Sequence, residues 1–301
     1  MKIYTKYHTK NACFITGQQG TTKCVVLHST GVNNPFLKRF VDDEEHVGKN
    51  KYGNHWNNYL VDGKRKVMVH AFLGRSDVEG MGEGKYNTCI SQILPYSMCA
   101  WHVGGKSKFG MKCSFNYSPK AVAFEVCEDS GDNLDYFLEV FTLAQEYCAM
   151  LCKEFKLNPL KDIYSHKETY EIGAGSSCHV DPHHWFDKIN KKFGTSYDMD
   201  WFRQEVKKIM EQNELEATVK ETVSTDTPQN GGIKYPETPF LIQVKNGKTG
   251  IYKSPRDSAQ VYKTCPKGVY TITAVENNYG KLKSGAGYVY LNSKDVVIMH
   301  Q

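Results

Sequence analysis

Four short apolar runs, CVVLHST (24–30), KVMVHAFLG (66–74), AVAFEVC (121–127) and IYSH (163–166), alternate with helix-patterned segments, and this rhythm restricts the fold more than any other feature of the chain. Each run is rich in β-branched or aromatic residues and bounded by Gly, Pro, Asn or Asp, the pattern of a strand. Residues 132–156 instead place apolar side chains at 134, 137, 138, 141, 144, 148, 151, 152 and 155, the spacing of one buried helical face. Ser130 or Asp132 is the expected cap of this helix, and Asn158-Pro159 its stop. A further helix is expected from Met199 to Met210, with Phe202, Val206, Ile209 and Met210 facing inward. These elements predict an α/β N-terminal domain over residues 1–212, with a central mixed sheet flanked by helices.

The composition then changes. Residues 213–239 are rich in Thr, Glu, Pro and Gly and almost free of large apolar residues, so they are expected to be a linker. As a flexible coil, such a segment would reach roughly 30 Å. Beyond it, FLIQVK, GIYKS, VYKTC, VYTITAVENN, YGKLKSGAGYVYLN and VVIMH are short strand-like pieces separated by NGK, SPRDS, CPKG and SGAG. Turn signals at this spacing predict a small all-β barrel over residues 240–301. Tyr252, Tyr262, Tyr270, Tyr279, Tyr288 and Tyr290 are its aromatic candidates for core or binding surface.

At 301 residues and 40% hydrophobic content, the chain has enough apolar material for two packed cores. No run of 18 apolar residues suggests a membrane span, and the N-terminus lacks the continuous apolar stretch of a secretory signal. The expectation is therefore a protein made in the cytoplasm without insertion into a membrane. Ten cysteines are expected to be mostly free thiols, because disulfide frameworks belong to short secreted chains without their own core. Cys148 and Cys152 read as small buried hydrophobes, and no CxxC pair supports a zinc ribbon. The net charge of +5 is concentrated at the C-terminus, where residues 240–301 hold nine Lys or Arg against three acids. Such a module favours an anionic partner: nucleic acid, acidic lipid or a phosphate-bearing wall polymer.

Metal-type side chains stand at the end of or inside β-like apolar segments: His28, Glu125, His166 and the cluster Cys178, His179 and Asp181. A hydrolytic zinc site needs three ligands from His, Cys, Asp or Glu and an open position for water. His28, His166 and one residue between Cys178 and Asp181 can supply that set. Glu125, lodged in an apolar strand, is expensive to bury without a role and is the candidate general base.

The pieces VVLHSTG, VHAFLG, AWHVGG, AFEVCED, SHKE and CHVDPHHWF, in this order over about residues 20–190, resemble the zinc-dependent N-acetylmuramoyl-L-alanine amidases of type 2, especially clostridial phage endolysins and autolysins. The resemblance implies that His28 and His166 ligate Zn2+, that Glu125 is the catalytic acid/base, and that His70, Trp101 and His102 line the substrate groove. It favours Asp181, in His179-Val180-Asp181-Pro182, over Cys178 as third ligand. The sequence departs from the family pattern by carrying His179 where an oxyanion-stabilising lysine stands, and by a Gly-rich insertion, TYEIGAGSS, after His166. His179 is accordingly the candidate oxyanion donor. The implied reaction is cleavage of the amide between N-acetylmuramic acid and L-alanine of peptidoglycan. The alternatives are peptidoglycan binding without catalysis and a zinc peptidase cutting within the stem peptide. GIYKSPRDSAQVYKTCPKG resembles bacterial SH3-like (SH3b) wall-binding modules, which implies tethering to peptidoglycan or anionic wall polymers and no nucleic-acid partner. A lytic enzyme of this kind would reach the wall after release, through a holin if it serves a phage.

Overall fold

A computed structural model describes residues 1–58, 67–117, 120–176, 179–225, 235–247, 249–255, 261–293 and 295–299, with the side chains of 215–225 left aside. The chain divides into two compact units, Met1–Glu221 and Thr222–Gln301.

The N-terminal unit runs β1 (Ile3–Thr5), α1 (Ala12–Thr16), β2 (Thr22–Ser29), α2 (Glu44–Val47), β3 (Ala71–Arg75), β4 (Thr88–Gln92), β5 (Lys120–Val126), α3 (Leu134–Phe155), β6 (Ile163–Ser165), α4 (His166–Glu171), α5 (His183–Phe193) and α6 (Met199–Thr225). Its six strands form one sheet in the order β1-β4-β3-β5-β2-β6. Only the β3–β4 pair is antiparallel, so the sheet is mixed, as expected.

Alternation sorts the strand residues between two cores. Val25, Leu27, Val122, Phe124 and Val126 face α3, where Phe137, Phe141, Ala144, Cys148 and Leu151 are buried. On the other face, Cys24, Val26, Ala121, Ala123 and Phe72 pack with Met68, Val103 and Phe115. In parallel strands, residues in register point to the same side. His28 is opposite Glu125, and Leu27 opposite Ser165. His28 and Glu125 therefore stand on the face away from α3, at the carboxyl ends of adjacent strands.

Local differences from the expectation have identifiable causes. The run 66–74 becomes a strand only from Ala71, because the His70 imidazole enters the ladder. Its Nδ1 accepts from Ala123 N–H at 3.0 Å while its own backbone N–H donates to the Ala123 carbonyl at 2.7 Å. The cap of α3 is Asn133 rather than Ser130 or Asp132: its side chain accepts from Tyr136 N–H at 3.1 Å and from the Tyr86 hydroxyl at 2.9 Å. The helix ends at Phe155, with Lys156 in the left-handed region, before Asn158-Pro159 is reached. Part of TYEIGAGSS is not loop, since Thr169–Glu171 complete α4. The largest difference concerns the linker: residues 213–225 continue α6. Glu, Leu, Ala and Lys in this stretch are strong helix formers, which carry a helix without a broad apolar face. Residues 226–234 of the expected linker lie outside the described residues.

The C-terminal unit contains β7 (Phe240–Val244), β8 (Thr249–Tyr252), β9 (Val261–Cys265), β10 (Gly268–Glu276), β11 (Tyr279–Leu282), β12 (Tyr288–Tyr290) and β13 (Val296–Met299). They form an antiparallel seven-stranded sheet, β13-β7-β10-β11-β12-β8-β9, compatible with an SH3-like fold. Phe240, Ile242, Val244, Ile272, Leu282 and Val289 make its own core. Tyr279 belongs to the interior, whereas Tyr262 is exposed. Cys24, Cys89, Cys99, Cys113, Cys127, Cys148, Cys152 and Cys265 are buried free thiols, in keeping with the expectation of mostly free thiols.

Asn133→Ala should lower stability by about 1 kcal/mol, the usual worth of an N-cap. Ser130→Ala should stay within about 0.5 kcal/mol. Denaturant midpoints of the full chain check both.

Candidate metal centre

The site is assembled at one edge of the sheet from three chain segments. His28 is the penultimate residue of β2, and His166 is the first residue of α4, directly after β6. Ser165 caps α4 through a reciprocal capping box with Glu168, so the helix begins at a defined point and presents His166 beside β2. Asp181 lies in the connection that leads to α5. Two hydrogen bonds tie down the residues that follow it. His183 Nε2 pairs with Ser165 Oγ at 2.8 Å, and His184 Nε2 with Glu128 Oε1 at 2.8 Å. Glu128 also accepts from the Gly31 N–H at 2.8 Å, linking the same knot to the loop after β2.

The result is a buried triad of donor atoms. His28 Nδ1 is 3.1 Å from Asp181 Oδ2, and His166 Nδ1 is 3.3 Å from Asp181 Oδ1. The donor atoms of all three residues lie within 4.8 Å of one another, and each residue is buried. Tetrahedral bonds of about 2.0–2.1 Å to nitrogen and oxygen place neighbouring ligand atoms about 3.3 Å apart. The two observed separations, each to a different oxygen of Asp181, are near that spacing, and with one donor atom from each residue inside 4.8 Å the set fits a small divalent cation after slight contraction. Cys178, the alternative third ligand, lies outside the described residues.

Electrostatics agree with this geometry. Burial pushes His28 down to about 4, and its hydrogen bond to Asp181 offsets only part of the effect. His28 is therefore a neutral imidazole at neutral pH, the form with a lone pair to donate. Burial alone would push the Asp181 carboxyl up, but hydrogen bonds with His166 and His28 outweigh it and hold the group ionised, well below the usual carboxylate range.

Glu125 is partly exposed as a residue, yet its Oε2 is sealed from solvent and has no hydrogen-bond partner. Burial, followed by the Asp181 and Glu128 carboxylates, drives its pKa well above the ordinary value. A buried carboxyl oxygen without a partner is costly unless something else reaches it. The carboxyl is thus not simply turned out to solvent from one face of the sheet.

The structure places the other candidates less uniformly. His179 is exposed and stacks on His166, with ring centroids 4.8 Å apart and planes 13° from parallel. Its Nδ1 is 4.0 Å from Asp181 Oδ1, at the rim of the triad. Trp101 is partly exposed and packs edge-on against Tyr117. His70 is fully buried, with Nδ1 committed to Ala123 and Nε2 to the Met98 carbonyl at 3.0 Å, so it braces strands and does not line a groove. His102 is also buried, with Nδ1 2.9 Å from His28 Nε2. Both depart from the groove positions expected for them because each ring nitrogen pairing draws the ring into the protein.

Sequence reasoning assigned no role to Glu128, His183 or His184. They stand inside AFEVCED and CHVDPHHWF, but which of two adjacent histidines meets which partner is a matter of helix phase at the start of α5.

No curated protein matches the chain at a significant level. Among solved structures, the Staphylococcus aureus hydrolase AmiA in complex with its ligand is 19% identical, covering 68% of this chain and 82% of that one, with a TM-score of 0.45. The catalytic domain of XlyA is 17% identical, covering 68% and 99%, with a TM-score of 0.41. PlyL is 17% identical, covering 68% and 97%, with a TM-score of 0.39. The model of the N-acetylmuramoyl-L-alanine amidase family matches residues 18–184, a stretch that includes the whole triad and Glu125. Because that match spans more than half of the chain, the protein belongs to the N-acetylmuramoyl-L-alanine amidase family, whose substrate is peptidoglycan.

Proposed function

We propose that this peptidoglycan amidase is zinc-dependent and acts as an endolysin or autolysin, with His28, His166 and Asp181 holding the ion and Glu125 moving the proton. One observation carries the reading: two imidazole nitrogens stand 3.1 and 3.3 Å from the two oxygens of one buried carboxylate. Directly across the strand pair is Glu125, whose buried Oε2 has no partner.

A zinc ion held by these residues would supply Lewis-acid polarisation of the scissile carbonyl and acidify the attacking water. Glu125 accepts the proton of that water and returns it to the amine of L-alanine as the amide to the lactyl group of muramic acid breaks. His179, exposed beside His166, donates a hydrogen bond to the developing oxyanion. Trp101 offers a partly exposed apolar wall for the substrate. The C-terminal unit, with its excess of basic residues, tethers the enzyme to anionic polymers of the wall.

Mass spectrometry of digested peptidoglycan should find stem peptides with a free L-alanine amine and uncut glycan. Chelation should stop the reaction and zinc restore it. Cleavage inside the stem peptide, or indifference to chelator, would sink the assignment.

Glu125→Gln should lower turnover by about 10²–10⁴-fold, the usual worth of a general acid–base group, while keeping bound zinc. His28→Ala should lose both zinc and activity. Native rates from Glu125→Gln would remove that residue from the mechanism.

Residues 235–301, which carry their own core, should sediment with purified walls and do so less once anionic polymers are stripped. Recovery in the supernatant with intact walls would refute the tethering role.

A further inference from the structure

His28 uses both ring nitrogens. Nδ1 faces Asp181, and Nε2 is 2.9 Å from His102 Nδ1, the two rings meeting edge-on at 89°. Two neutral imidazoles joined through one nitrogen of each share a single proton in that contact. If it sits on His102, then His28 carries its own proton on Nδ1, which donates to Asp181 and closes the lone pair. If it sits on His28 Nε2, the Nδ1 lone pair is open toward Asp181, and His102 carries its proton on Nε2.

From this we infer that His102 is a positioning residue of the metal centre: its Nδ1 accepts from His28 Nε2–H and so holds His28 Nδ1 in the ligating tautomer and orientation. The inference rests on the metal reading proposed above and adds a residue to it. A ligating histidine is generally oriented by a partner on its second nitrogen. Here that partner is itself an imidazole, which can accept as well as donate.

His102 is held for this task. Its backbone N–H and that of Val103 both donate to Asn116 Oδ1, at 3.0 and 3.1 Å. Asn116 Nδ2 in turn donates to the Gly104 carbonyl at 2.6 Å. Asn116 and His102 are both buried, so the segment that presents the ring is shielded from competing water. His102 Nε2 is sealed from solvent and has no hydrogen-bond partner, so Nδ1 is the ring nitrogen engaged in a pairing. Cation loading therefore exchanges one arrangement of the pair for the other: His28 and His102 each shift a proton from Nδ1 to Nε2, and the pair as a whole neither gains nor loses one.

Two measurements on the full chain test this. Competition with a chromophoric chelator should show zinc affinity reduced about 10–100-fold in His102→Ala and His102→Phe, the range for an outer partner of a ligating histidine. His102→Gln, which keeps an acceptor, should retain most of the affinity. Activity of the Ala and Phe variants should return when excess zinc is added, which a merely structural defect would not allow. In the zinc-loaded wild type, ¹⁵N imidazole spectra should show His28 protonated at Nε2, with a scalar coupling across the hydrogen bond to His102 Nδ1. This second measurement needs no variant to fold. A wild type that takes up no zinc would overturn the metal reading itself. A wild type that binds zinc, with His28 Nε2 uncoupled from His102 or with variants of undiminished affinity, would overturn this inference alone.

Discussion

The parallel pairing of β2 with β5 on one side and β6 on the other is the constraint on which the site depends. Parallel strands run in one direction, so their carboxyl ends emerge at the same edge, and residues in register share a face. That places His28 opposite Glu125 and brings His166, one residue past β6, alongside. A one-residue slip of β5 would turn Glu125 toward α3 and into the aromatic core. The slip is resisted because the opposite face takes only the small Ala121 and Ala123 from this strand, and would have to accept Val122, Phe124 and Val126 into a core that is already filled. Hydrophobic register and functional geometry are thus set by the same pairing.

Asp181 arrives by a different route. It belongs to no strand, and its position depends on the start of α5. There Trp185 and Phe186 insert among Phe137 and Phe141 of α3, while His183 and His184 bind Ser165 and Glu128. The helix is anchored by apolar packing on one side and by two polar pairings on the other. The cost of holding the carboxylate in a buried pocket is offset by two imidazoles and the Ser29 N–H, 3.3 Å away. In the proposed enzyme a cation takes over that task.

Particular residues show how far the sequence could be read. The strands of 24–30, 121–127 and 163–166 and the helix of 132–156 were legible because buried surfaces impose periods of two and 3.6 residues. Asn133 was not legible as the cap, since Ser130, Asp132 and Asn133 are equivalent by residue type and only the chain path selects among them. Residues 213–225 read as linker because they lack an apolar face, but helix propensity operates without one. His70 and His102 looked like residues of a groove, and the structure puts their rings into the interior, where nitrogens meet backbone or another imidazole. A histidine's sequence neighbours do not say which of its nitrogens is satisfied, or by what.

By itself the sequence determined the α/β class of the first unit, the all-β class of the second, and the set of metal-type residues from which His28, Glu125, His166 and Asp181 come. These are local matters of periodicity and residue type. Tertiary structure alone decided which nitrogen of His28 meets Asp181 and which meets His102, and how Glu128 knots two loops together. Such contacts join residues 56 to 153 positions apart. Their distances follow from strand register and helix docking, which depend on the folded core as a whole and leave no periodic trace along the chain.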